Sequence, residues 1–118
     1  MKDLDKYRGC LIGGAAGDAL GYAVEFVDDA SIFQKYGENG ITEYDLKNSV
    51  AQISDDTQMT LFTATGLLLG TTRSMTRGIM GSYPSHIAFC YKDWLRTQET
   101  TCPCNEGPRY SWLMNVPG

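Results

Sequence analysis

Glycine recurs at positions 9, 13, 17 and 21 of the stretch "LDKYRGCLIGGAAGDALG", residues 4 to 21. A spacing of four puts all of them on one stripe of an α-helix. Together they cost roughly 3–4 kcal/mol of helix propensity relative to alanine. A chain offsets that cost where another backbone must come closer than any side chain would allow. Gly14, Ala15, Ala16 and Ala19 widen the small-residue face. The expectation is a first helix at the centre of a helical bundle, packed backbone to backbone.

The rest of the chain also reads as helices joined by loops. "DDASIFQKYG" predicts a short helix capped near Asp28 or Asp29 and ended by Gly37. "ENGITEYDL" is a loop with a turn at Asn39-Gly40; "GITEY" has the look of a short strand without a partner run. A second strong helix is expected over 54 to 69. Its Leu61, Phe62, Ala64, Leu67, Leu68 and Leu69 cover most of the circumference, which predicts deep burial, with Gly70 as the terminating glycine. Residues 71 to 83 read as loop or broken helix. Pro84 sits early in a third strong helix, to about residue 97, with Ile87, Tyr91, Trp94 and Leu95 as its apolar face. The tail has no period. Its last segment, "YSWLMNVPG", is dense in aromatic and aliphatic residues and reads like an interrupted domain in need of a partner. The fold class is all-α.

The length of 118 residues suits one domain. A net charge of -4 and five dispersed arginines argue against a nucleic-acid partner. The start "MKDLDKYRG" carries acids where a secretory signal wants only bases, and the weakly polar run "GCLIGGAAG" stops at Asp18, so no membrane segment and a cytoplasmic location are expected. Cys10, Cys90, Cys102 and Cys104 read as reduced thiols. A zinc site built on His86, Cys90, Cys102 and Cys104 is the alternative, with C-x-C a poorer knuckle than C-x2-C.

The chemistry concentrates in "QISDDTQMTLF", residues 52 to 62. Ser54 is a good N-cap, which puts Asp55 and Asp56 in the first turn, where the helix dipole stabilises a carboxylate by about 0.3–1 kcal/mol. An over-charged cap is one account. Against it, two adjacent anions repel, and the helix they open is apolar on nearly every side. That combination places the pair at the floor of a cleft facing a counter-charge. Paired carboxylates beside a hydroxyl are what a hard cation such as Mg²⁺ or Mn²⁺ takes.

"IGGAAGDALGYAVEF" followed by "SDDTQM", with "YGENGITEY" and "YKDWLRTQ" in the same order, resembles the N-terminal half of the ADP-ribosylglycohydrolases, enzymes that remove ADP-ribose from modified proteins. The resemblance covers nearly the whole chain. It implies an orthogonal all-α bundle with two Mg²⁺ or Mn²⁺ ions in a central cleft. It implies Ser54, Asp55 and Asp56 as ligands of one metal and Glu25 as the catalytic acid facing the ribose and its leaving group. Asp18, the aspartate of G-D-A-L-G, takes a supporting or purely packing role. Thr57 reads as a backbone-satisfying hydroxyl, and Tyr91 and Trp94 as core rather than a platform for adenine.

Members of that family are more than twice as long, and an Asp-x-Asp motif in their second half completes the metal site. Nothing after Asp93 in this sequence is an aspartate; the later acids are Glu99 and Glu106. Residues 1–118 are therefore expected to be the N-terminal part of a single helical domain, incomplete by itself. The expected partners are an ADP-ribosylated substrate and either the missing C-terminal half or a second copy. A non-catalytic helical module for binding or assembly is the competing reading.

Overall fold

The computed structural model describes residues 3–100 and 107–116. Helix α1 spans Leu4–Gly21, α2 Asp29–Tyr36, α3 Asp55–Arg77 and α4 Tyr83–Glu99. Short 3-10 turns occupy Tyr22–Val24 and Trp112–Asn115, and strands β1 (Leu46–Lys47) and β2 (Val50–Ala51) form a small hairpin. The chain is all-α. It divides into two compact units, residues 1–57 and 58–118.

In the first unit the Asp3 carboxylate accepts from the Asp5 amide and caps α1. The glycine stripe does not do what its spacing predicts. A Cβ added at Gly9, Gly13, Gly14, Gly17 or Gly21 would meet nothing within 4 Å among the described residues. Ala19 is the buried residue of α1, and Ile12 is 68% exposed. Among the described residues, then, the expected backbone-to-backbone contact on the glycine face of α1 is not made.

Helix α2 begins as the sequence suggests. Asp28 accepts from the Ser31 amide at 3.1 Å and its hydroxyl at 2.7 Å. Gly37 ends the helix at φ 87°, a conformation that only glycine adopts without strain. "GITEY" is not a strand. The hairpin lies just beyond it, pairing Leu46 with Ala51 and Lys47 with Val50. Its two-residue turn holds Asn48 and Ser49 at φ 53° and 65°, the left-handed pair that suits the twist of a tight hairpin.

In the second unit α3 runs straight through Gly70 to Arg77, well beyond its predicted end. The glycines explain this. A Cβ on Gly66 would lie 2.7 Å from Ile87 Cα, and one on Gly70 would lie 2.7 Å from His86 Cδ2. Both residues are interior to the helix because α4 presses against them, so Gly70 is a packing glycine and not a cap. Leu67 and Leu68 are exposed, and the buried line of α3 is Phe62, Thr65, Gly66 and Gly70, so the deep burial expected all round is not found.

The buried line of α4 also differs from expectation. It is His86, Cys90 and Asp93, while Leu95 is 52% exposed. Tyr91 and Trp94 pack partly buried against a core of Phe62, Cys90 and Met114. Their polar ends are used: the Tyr91 hydroxyl meets that of Thr63 at 2.7 Å, and Trp94 Nε1 donates to Gln58 Oε1 at 3.0 Å. Met114 comes from the tail and is fully buried, packed with Phe62 and Cys90 of the same unit. Asp93 holds that tail. Its Oδ2 accepts from the amides of Tyr110 and Ser111, each at 2.6 Å, and Arg96 lies 3.8 Å from Oδ1.

Among the described residues no single helix is long and apolar enough to cross a membrane.

Candidate functional site

The site is built on the N-terminus of α3. A helix start leaves backbone N–H groups without intrahelical partners. Ser54 Oγ accepts from the Asp56 amide at 3.1 Å, as an N-cap does. In a capping box a Glu or Gln three residues on would reach back to the cap's own N–H. Here that position is Thr57, which has no acceptor of the kind.

Asp18 of α1 takes the role instead. Its Oδ2 accepts from the Ser54 amide at 2.9 Å and from the Thr57 amide at 3.3 Å. The hydroxyl of Ser54 donates to Oδ1 at 2.6 Å, and that of Thr57 donates to Oδ2. Burial works against the charge of Asp18, but the hydrogen bonds from Ser54 and Thr57 outweigh it and hold the carboxyl below the usual carboxylate range. Ser54 and Thr57 are buried, 6% and 7% exposed.

Asp55 and Asp56 stand on the same turn and are exposed. Among the described residues neither carboxylate accepts a hydrogen bond or pairs with a cation. The apolar helix behind the pair suggests the floor of a cleft facing a counter-charge; among the described residues no such counter-charge faces it, and both aspartates are exposed. The cap is built from Ser54 and Asp18, and it lets the two aspartates project from a fixed turn into solvent. Glu25 follows the 3-10 turn at Tyr22–Val24 and is also exposed; no hydrogen bond links it to Ser54, Asp55 or Asp56. A cavity of about 260 Å³ lined by Ala19, Tyr22, Ala23, Asp45, Leu46, Lys47 and Gln52 is flanked in sequence by Asp18 and Glu25.

The donor set fits a hard divalent cation in kind: two unengaged carboxylates and a hydroxyl, all oxygen. It falls short in number. Among the described residues no three His, Cys, Asp or Glu side chains are grouped to hold a metal ion. The zinc alternative partly lies outside the described residues, where Cys102 and Cys104 fall. Its two described members, His86 and Cys90, are both buried one turn apart on α4. Burial and the nearby Asp93 push the Cys90 thiol up, and neither ring nitrogen of His86 has a partner among the described residues.

Asp18 is the site residue whose part the sequence alone left undecided. The signal was present, since a Ser-x-x-Thr start leaves the cap's N–H without a local acceptor.

Comparison with curated proteins and with solved structures returns no match. The profile of one family, described as ADP-ribosylglycohydrolase, matches residues 1–115. That span runs from α1 to the end of the tail's 3-10 turn, nearly the whole chain, and the chain accordingly belongs to the ADP-ribosylglycohydrolase family.

Proposed function

We propose that this chain supplies part of a metal-dependent, cytoplasmic hydrolase site that cleaves the glycosidic bond of ADP-ribose on modified proteins or small molecules. The observation that carries the reading is the pair Asp55 and Asp56, exposed and unengaged on a helix turn that Asp18 locks from outside the helix. Ser54, Asp55 and Asp56 would hold Mg²⁺ or Mn²⁺, which when bound orients ribose hydroxyls and offsets charge developing at the anomeric carbon. Glu25 handles a proton at the leaving group or the attacking water. The dipole of α3 adds positive potential where the two aspartates gather negative charge.

Mg²⁺ wants about six oxygens, several of them from water. Ser54, Asp55 and Asp56 give three protein oxygens if each ligates once, enough for weak binding of one ion and not for two. The remaining ligands come from a C-terminal half or from a second copy. A purely assembling helical module remains the competing reading, favoured by the same shortage of grouped ligands among the described residues.

The test is release of ADP-ribose from an ADP-ribosylated protein with Mg²⁺ or Mn²⁺ present. Residues 1–118 alone should release none. Adding the C-terminal half of a family member, in cis or as a second chain, should restore release, and Asp55→Ala or Glu25→Gln should abolish it. Turnover by the combined protein that survives Asp55→Ala would sink the assignment.

A further inference from the structure

We propose that Asp18 is a positioning residue for Ser54: it takes the hydroxyl proton and so leaves Ser54 Oγ with one uncommitted lone pair for a hard divalent cation. The inference rests on the metal reading of Ser54, Asp55 and Asp56 given above.

A serine hydroxyl has one proton and two lone pairs. Left to itself it rotates, and a proton turned toward a cation site would repel the cation. Here the proton is committed, because Ser54 Oγ donates to Asp18 Oδ1 at 2.6 Å. One lone pair is committed as well, since the Asp56 amide donates to Ser54 Oγ at 3.1 Å. One lone pair remains. An ionised carboxylate accepts only, so it cannot turn round and donate to that oxygen.

The rest of Asp18 is occupied. Its Oδ2 takes the Ser54 amide, the Thr57 amide and the Thr57 hydroxyl. Four protein donors therefore converge on a group with about four lone-pair sites. That accounting makes Asp18 the support of a ligand and not a ligand. Ser54 is 6% exposed, so its backbone has little room to shift once these bonds are formed.

Asp18→Asn isolates the effect. The amide oxygen can keep the three donors now on Oδ2, while the amide NH₂ replaces Oδ1 and donates to Ser54 Oγ. The last lone pair is then filled and the hydroxyl proton is turned loose. The probe is Mn²⁺ alone, titrated from well below one equivalent into the ¹⁵N-labelled chain of residues 1–118. Paramagnetic broadening of amide signals detects weak binding and reports where it occurs. In the wild type, broadening should centre on residues 54 to 57. Asp18→Asn should need on the order of 10–100-fold more Mn²⁺ for the same broadening, the usual cost of losing an outer-shell partner. Thr57→Val, which removes a donor to Asp18 but leaves Ser54 intact, should behave as wild type. Adding Asp18→Asn to Ser54→Ala should produce no further loss.

An Asp18→Asn titration that matches wild type while Asp55→Ala abolishes the broadening overturns the proposal and leaves the metal reading standing. Equal losses from Asp18→Asn and Thr57→Val would mean that Asp18 merely holds the helix start, and would also overturn it. Absence of broadening at residues 54 to 57 in the wild type removes the metal reading and this proposal with it. If Asp18→Asn loses its dispersed spectrum, Ser54→Ala decides: a shift of less than about twofold shows that the hydroxyl is not a ligand.

Discussion

Two sets of glycines in this chain are alike in sequence and differ in what surrounds them. In α1, a Cβ added at Gly9, Gly13, Gly14, Gly17 or Gly21 would meet no described residue within 4 Å. In α3, Gly66 and Gly70 lie under Ile87 and His86 of α4, so closely that a methyl group would overlap them. The first set has the regular spacing that signals a packing stripe; the second has one interval of four, and its Gly70 reads locally as a helix end. Spacing alone therefore does not show that a glycine is needed for contact. What distinguishes the sets is the neighbouring element: α4 brings Ile87 and His86 to α3, and no described residue comes to the stripe of α1.

The largest expected effect that would sharpen this contrast is chemical. Cys10 lies on the open helix and is exposed, whereas Cys90 is buried in the core beside Met114. In a chain carrying Cys102→Ser and Cys104→Ser, a thiol-alkylating reagent should modify Cys10 on the order of 1,000-fold faster than Cys90, because Cys90 reacts only through local opening. Burial and Asp93 raise the Cys90 pKa above that of an ordinary thiol. A raised folded value means that its contribution to stability is present below the ordinary thiol pKa and is lost as pH climbs through the folded value. Protection of Cys90 should accordingly weaken in alkaline buffer. Equal labelling of both cysteines at neutral pH would break the contrast.

Gly66→Ala comes next. The added Cβ would meet Ile87 backbone at 2.7 Å and 2.9 Å, and backbone cannot rotate away as a side chain can. Overpacking of this kind costs about 1–3 kcal/mol, more than the roughly 1 kcal/mol of helix propensity that alanine returns. Denaturant unfolding should show a net loss, larger than for Gly70→Ala, whose closest neighbours are the side chains of His86 and Tyr83. In α1 the sign reverses. Gly13→Ala and Gly17→Ala should each stabilise by about 0.5–1 kcal/mol, since the new methyl groups meet nothing and the helix gains propensity. Destabilisation by either would mean that the stripe is covered in solution.

The smallest effect is expected at the helix start. With chelator present, Asp55→Asn should change stability by less than about 0.5 kcal/mol, because relief of repulsion from Asp56 offsets the lost dipole interaction. A thermal melt measures it. A clear loss would mean that Asp55 is part of the cap, although Ser54 and Asp18 already supply one.

Local signals are legible in the sequence. The span of α1, the Asp28 cap and Gly37 end of α2, and Pro84 near the start of α4 follow from rules that involve only near neighbours. Signals that depend on a distant partner are not. Gly70 looks like a helix end until His86 is placed beside it. The face of α4 was expected along Ile87, Tyr91, Trp94 and Leu95, yet the buried line holds the polar Asp93, because the amides of Tyr110 and Ser111 come to its carboxylate. The hairpin turn at Asn48-Ser49 lacks glycine and so carries no local turn signal. At the candidate site, Ser54, Asp55, Asp56 and Glu25 were named from motif and resemblance, but the exposure of the two aspartates follows from Asp18 serving the cap in place of a side chain of α3.

The Asp18 clamp also affects how the chain between its ends can vary. It joins residues 36 and 39 positions apart in sequence, with α2 and the hairpin inside the enclosed stretch. Closing a loop of that size costs entropy that grows only logarithmically with length, about 0.6 kcal/mol for each doubling. The enclosed segment can therefore lengthen, shorten or change its surface at little thermodynamic cost while the turn bearing Asp55 and Asp56 stays fixed to α1. Change in the enclosed surface and fixity of the acidic turn are thus separable in this fold, with the clamp marking the boundary between the two.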